Sequence, residues 1–127
     1  MSNEISRTNI AQVWMTDNGI FHAIFDTNVN LTLEEAKEII ALEKKLSGGN
    51  RHPAFVDIQK VKTVHQDARQ YFASDSAAEI QVAAALLIGS PVSRAIGNFF
   101  LRLNKPILPV QMFTDKKQAL HWLEQFL

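Results

Sequence analysis

Between Val82 and Asn104 the chain runs V-A-A-A-L-L-I, breaks at Gly89, continues as S-P-V-S-R and resumes as the apolar stretch A-I-G-N-F-F-L-R-L-N. A short apolar run bounded by a glycine reads as a strand buried on both faces, and such strands belong to parallel sheets covered by helices. Ser90 suits a helix N-cap, Pro91 suits the first helical position, and Ser93 adds a hydroxyl in the first turn. A helix N-terminus is therefore expected at the carboxyl end of a central strand. Arg94 runs against this pattern, because a cation in the first turn opposes the helix dipole by roughly 0.3–1 kcal/mol. Either it answers a carboxylate such as Asp57, Asp67 or Glu79, with the serines acting as caps alone, or it receives an anion. On the second reading Ser90, Ser93 and Arg94 form an anion or small-ligand site, with two hydroxyls, backbone N–H groups and a guanidinium converging where ligands of open parallel sheets lie.

The rest of the chain supplies the partners of that strand. Residues 10–16 and 20–26 flank D-N-G, with Gly19 available for the positive φ of a tight turn, and read as a β-hairpin. Thr32-Leu33-Glu34-Glu35 has capping-box spacing, and Leu33, Ala36, Ile39, Ile40, Leu42 and Leu46 follow at helical intervals until Gly48-Gly49. A-F-V-D-I at residues 54–58 is a further buried strand, followed by a helix carrying Ala68, Tyr71 and Phe72 and by a helical turn between Ser76 and Glu79. After Ser90, one face of the next helix carries Val92, Ile96, Phe99 and Leu103 and is expected to be its core face. Residues 110–113 make the last strand, placed at an edge by Pro109, which has no donor for a ladder. Thr114 is expected to cap a closing helix with Ala119, Leu120, Leu123 and Leu127 in one stripe and Trp122 and Phe126 in another. The order is β-β-α-β-α-β-α-β-α: an α/β fold with a mixed, mainly parallel sheet, an N-terminal hairpin and about four helices.

Composition narrows the function classes. The chain has 127 residues, 46% hydrophobic, which is enough for one globular domain over residues 1–127 to fold without disulfide or metal. Residues 1–8 are expected to form a flexible tail. Lys and Arg total 13 against 13 Asp and Glu, with no basic run longer than two, so nucleic acid is not an expected partner. There is no cysteine, and His22, His52, His65 and His121 lie on different elements without ligand spacing, so neither thiol chemistry nor a metal site is expected. No apolar run approaches a membrane span and the N-terminus is polar, which makes the cytoplasm the expected location.

Two segments resemble a known family. V-D-I-Q-K-V-K-T-V-H-Q-D-A after a buried strand, and G-S-P-V-S-R-A-I-G-N-F-F-L-R-L-N-K-P before the last one, are similar to the bacterial STAS/SEC14-type domains with the SpoIIAA-like, anti-sigma-factor-antagonist fold, and to a functionally undescribed stand-alone subgroup of them. The resemblance covers roughly residues 10–126. It implies a SpoIIAA-like fold that works either as a regulatory protein-interaction module or as a holder of hydrophobic ligands. In the antagonists the matching loop carries D-S-S-G, whose first serine is phosphorylated. Here His65, Gln66, Asp67 and Ala68 take that place, so the acceptor hydroxyl is missing, and a carboxylate at Asp67 carries about half the charge of a phosphate.

His65, Asp67 and Arg69 also have the types of a base, an orienting carboxylate and a cation, but no G-x-S-x-G, H-E-x-x-H or P-loop accompanies them, and a polar helix start capped by Asp67 accounts for them equally. Phe99 and Phe100 are adjacent on a helix and point about 100° apart. With Phe99 in the core, Phe100 would line a ligand cavity, meet another subunit or sit on the flank of a wide core face. Gly97, which costs a helix about 1 kcal/mol relative to Ala, calls for the close approach of another backbone. The sequence thus predicts a non-catalytic STAS-like interaction module without cofactor, self-associating as a homodimer through Phe100 or Trp122 or meeting an unidentified protein partner. The alternative is a binder of a small anionic or amphipathic ligand at the turn from Ser90 to Arg94.

Overall fold

The structure is a computed structural model that describes residues 4–127. Along the chain its elements are β1 (Ser6–Arg7), β2 (Ala11–Met15), β3 (Phe21–Phe25), β4 (Asn30–Leu31), α1 (Leu33–Ser47), β5 (His52–Asp57), β6 (Thr63–Val64), α2 (Gln66–Phe72), α3 (Asp75–Ala78), β7 (Gln81–Leu87), α4 (Pro91–Phe99), a π-helical segment (Phe100–Asn104), β8 (Val110–Phe113) and α5 (Lys116–Glu124). Six strands form one sheet in the order β1-β2-β3-β5-β7-β8, and β4 and β6 make a separate two-stranded ladder. β1, β2 and β3 are antiparallel, and β3, β5, β7 and β8 are parallel. This is the expected mixed, mainly parallel sheet with an N-terminal hairpin, and β8 lies at its edge as Pro109 requires.

Alternation along the strands divides the core into two layers. Ala23 and Phe25 meet Ala36 and Ile39 of α1, Ala68 of α2 and Ile96 of α4 on one face of the sheet. Phe55, Ala83, Ala85 and Leu87 meet Ala119 and Leu123 of α5 on the other. The α1 ends form as their sequence dictates: Thr32 Oγ1 accepts from the Glu35 N–H at 3.3 Å, and Gly48, at φ 67°, closes the helix in the left-handed conformation that favours glycine.

Several local expectations are corrected. Ser6–Arg7 is not part of a loose tail, because it pairs with Val13 and Gln12, and Thr8 is buried with its hydroxyl accepting from the N–H groups of Ile10 and Ala11. The first three residues of that expected tail lie outside the described ones. Only half of the box at α1 forms, since Glu35 returns no bond to Thr32. Ser74 rather than Ser76 holds the N-cap position of α3, and α5 is capped by Asp115, whose Oδ2 accepts from the Gln118 N–H at 3.2 Å, rather than by Thr114. Leu127 is exposed instead of joining the α5 stripe.

The largest correction concerns α4. Of the expected core stripe Val92, Ile96, Phe99 and Leu103, only Ile96 packs against the core; Val92, Phe99 and Leu103 point outward, with 51%, 51% and 68% of each residue exposed. The buried side carries Ser93, Gly97 and Phe100, the last only 9% exposed. A Cβ at Gly97 would overlap the Met112 thioether of β8, so the close approach is to a side chain of the same chain, not to another backbone. Truncating the two adjacent aromatics separates the two orientations. Phe100→Ala is expected to destabilise by about 3–5 kcal/mol, as for a core phenylalanine. Phe99→Ala, which removes an exposed ring beside the Arg69 guanidinium, should cost no more than about 1 kcal/mol. Urea unfolding of both variants with unchanged m-values checks this, and similar midpoints would contradict the observed orientation.

Candidate functional site

The first candidate is the turn from β7 into α4. The structure brings Ser90, Ser93 and Arg94 together there, and it commits the two hydroxyls to the chain itself. Ser90 Oγ accepts from the Ser93 N–H at 3.0 Å, and Ser93 Oγ accepts from the N–H groups of Ser90 at 2.9 Å and Gly89 at 3.0 Å. With Pro91 lacking an N–H and the Arg94 N–H bonded to Ser90 O, only Val92 retains a free donor in the first turn. Arg94 is exposed and forms no ion pair among the described residues. The expected pairing with Asp57, Asp67 or Glu79 is therefore not made. Asp57 finds other donors, its Oδ1 accepting from the Gln59 N–H at 3.0 Å and both its oxygens from Gln59 Nε2 at 3.1 Å.

His65, Gln66 and Asp67 are all exposed at the start of α2. His65, not Asp67, occupies the cap position, and its ring makes no capping bond. Arg69 turns away from them. Its Nε donates to Asn104 Oδ1 at 3.1 Å, its Nη1 donates to Val64 O at 2.8 Å, and its guanidinium lies 5.8 Å from the centre of the Phe99 ring. It pins α2 to the π-helical segment, and no base-carboxylate-cation constellation assembles. Trp122, a candidate contact, is half-buried between Phe113 and Phe126, with ring centroids 5.7 and 5.0 Å away. Phe100, the other one, faces inward and does not reach the surface.

Phe100 instead lines a cavity of about 70 Å³ under the α1, α2 and α4 layer. The walls are hydrocarbon from Leu31, Ile39, Leu86 and Ile96, interrupted by three polar residues, Glu43, Arg69 and Gln81. Glu43 is fully buried; Gln81 Nε2 donates to its Oε1 at 2.7 Å, and its Oε2 has no partner. Burial raises the Glu43 carboxyl from 4.5 to about 8, the Gln81 bond opposing this in part. On the opposite side of the sheet, burial, aided by Lys116, lowers His22 from 6.5 to about 4, and its ring stacks on Trp14 at 4.9 Å. Sequence reasoning missed Glu43, although its spacing from Ile39, Ile40 and Ser47 put a carboxyl on the buried face of α1.

The model of a domain of unknown function, DUF7793, matches residues 13–127. The chain belongs to this family. A search of curated proteins finds no match. Among solved structures, the DUF7793 chain is similar to an uncharacterised protein of the DUF3478 family with a SpoIIAA-like fold from Shewanella loihica PV-4, at 19% identity and a TM-score of 0.52 over 94% of this chain and 90% of that one. It is also similar to the anti-sigma factor antagonist SpoIIAA in its unphosphorylated form, at 13% identity and a TM-score of 0.58 over 90% and 97% of the two chains. Its fold is SpoIIAA-like, as expected. No helix among the described residues is long and apolar enough to cross a membrane.

The two buried titratable groups give this DUF7793 chain a defined pH response. Neutral His22 contributes stability that is lost as pH falls from 6.5 through about 4, whereas protonated Glu43 contributes stability that is lost as pH rises from 4.5 through about 8. The two slopes oppose each other where they overlap, and above 6.5 only the Glu43 slope remains. Stability should therefore fall between pH 6.5 and 8, by at most about 1.4 kcal/mol per pH unit. Glu43→Gln keeps the shape and removes the titration, so its urea midpoint should stay level over that interval; parallel declines in the two proteins would contradict the assignment.

Proposed function

We propose that this protein is a non-catalytic interaction module of the STAS-like class, and that it docks through the outward face of α4 and the π-helical segment, with a second copy of the chain as first partner. One observation carries the reading: Val92, Phe99 and Leu103 form an apolar row on the protein's surface, each more than half exposed. Contiguous apolar surface of this kind marks interaction sites. The chain carries no net charge, so two copies approach without overall repulsion. Half-buried Trp122 on α5 remains a second contact for a partner on the opposite side of the sheet. Sedimentation equilibrium up to about 100 μM, where an interface near −6 kcal/mol registers, should show a dimer. Phe99→Glu combined with Leu103→Glu should leave the protein folded, with the monomer's stability changed by no more than about 1 kcal/mol, and abolish the dimer. A wild type that stays monomeric throughout, or a variant that dimerises as well as the wild type, overturns self-association.

A second reading, a small anion held at the turn from Ser90 to Arg94, is favoured by the exposed guanidinium without an ion pair beside the free Val92 N–H. Since both hydroxyls already serve the cap, Arg94 would supply most of the attraction. Phosphate should then raise the melting temperature of the wild type more than that of Arg94→Ala, both compared with chloride at matched ionic strength. Phosphate also stabilises by exclusion from protein surfaces, so only the difference between the two proteins counts. Equal increments would leave the turn a purely structural cap.

A further inference from the structure

The outward side of α4 and the π-helical segment carries more than an apolar row. Ala95, also exposed, lies between Val92 and Phe99, so apolar residues recur at 92, 95, 99 and 103, at intervals of three and four. This is the spacing of a seam that receives a second helix. The charges beside it are of one sign. From Ser90 to Lys105 the chain holds Arg94, Arg102 and Lys105, all exposed, and no aspartate or glutamate. Arg69 of α2 adds a fourth cation, its guanidinium 5.8 Å from the centre of the Phe99 ring; Nε and Nη1 are bonded to Asn104 and Val64, while Nη2 keeps its donors. Among the described residues no carboxylate pairs with any of the four. The whole chain has equal numbers of acidic and basic residues, so this segregation of charge is local to one face.

We propose that this face receives an acidic amphipathic helix of a partner protein, its apolar stripe laid along Val92, Ala95, Phe99 and Leu103 and its carboxylates meeting the four cations. The inference rests on the reading of α4 as the docking face and names the partner chemistry that fits it. α4 offers side chains only, because its backbone is bonded within the helix, so an incoming strand finds no ladder to join, whereas a helix presents its own stripe at matching intervals. The apolar row spans roughly three turns, a length a single partner helix covers. A second copy of the chain matches the row but sets the four cations against the same four, and like charges brought together across an interface oppose docking. An acidic helix matches row and rim together, so it binds more tightly than a second copy and displaces it. A nucleic acid supplies the charge but leaves Val92, Phe99 and Leu103 without an apolar counterpart.

Fluorescence anisotropy of the intact protein with labelled, capped helical peptides of about 18 residues, long enough to hold a helix in water, tests this. The first peptide carries leucine at every third or fourth position and glutamate between, the second lysine in place of glutamate, and the third serine in place of leucine. The first should bind at least about tenfold more tightly than either of the others, the scale of about three exposed charge pairs, and should weaken as salt is raised. Arg94 and Arg102 make no side-chain hydrogen bond or ion pair among the described residues, and Arg94→Glu combined with Arg102→Glu should invert the preference between the glutamate and lysine peptides. No binding of the acidic peptide, equal affinity for the lysine peptide, a preference that survives the charge reversal, or a short DNA duplex that binds as tightly as the acidic peptide would each overturn the proposal. Should the charge-reversed protein fail to fold, the ranking of the three peptides on the wild type decides by itself. A protein that dimerises through the α4 row yet ignores the acidic peptide overturns this inference alone, and one that does neither overturns the reading on which it rests.

Discussion

β7 is buried on both faces, and the volumes it can carry are set by what must lie above and below it. Ala83 and Ala85 allow α5 to settle close against one side, where Ala119 and Leu123 complete the layer. On the other side Ala84 offers only a methyl between the larger Gln81 and Leu86, and all three line the cavity. A strand with small residues at its centre thus draws one helix in and leaves room beneath the other layer. Both neighbours depend on it, since β5 and β8 pair with β7 in parallel and the turn after Leu87 launches α4. Strand order, cavity and helix start all trace to this one segment, so it constrains the fold more than any other.

Local chemistry explains why most of the architecture was legible in the sequence. Gly19 in the hairpin, Thr32 and Gly48 at the ends of α1, Pro109 before the edge strand and the Ser90-Pro91 start of α4 each act over a few residues, and each bounds its element where the sequence places it. Failures came where a residue had equivalent neighbours. Ser74 and Ser76, or Thr114 and Asp115, are interchangeable as caps on composition, and the backbone path chose between them. The two-residue β1, β4 and β6 carry no periodicity that a sequence could show.

The orientation of α4 was lost for a different reason. Apolar residues wrap more than half of the helix, from Val92, Phe99 and Leu103 through Ile96 at the border to Phe100, so periodicity finds a wide stripe and does not say which of its edges faces the core. Small residues were the signal that ranked them. Ser93 and Gly97, four apart, mark the side where Met112 and Ile88 come close, because nothing larger fits there. The candidate site was legible to the same partial extent. The serines and Arg94 were found together, but their commitment to the cap depends on bonds within the turn, and the cavity depends on residues from several strands and helices that no local window contains.

Glu43 shows what such a nonlocal arrangement can hold. An unsatisfied buried acid costs about 1–3 kcal/mol, a sizeable share of the ~5–15 kcal/mol by which domains are stable. Leucine at the same place on α1 would fill part of the cavity and leave no orphan oxygen, so stability alone favours the hydrocarbon. Gln81 relieves the burden only in part, since its amide reaches one of the two carboxyl oxygens. Sequences depart from local consistency chiefly where a site requires it. The acid and its orienting amide join α1 to the start of β7 in a layer that is otherwise hydrocarbon, so the cost of Glu43 falls on the contact between the longest helix and the central strand.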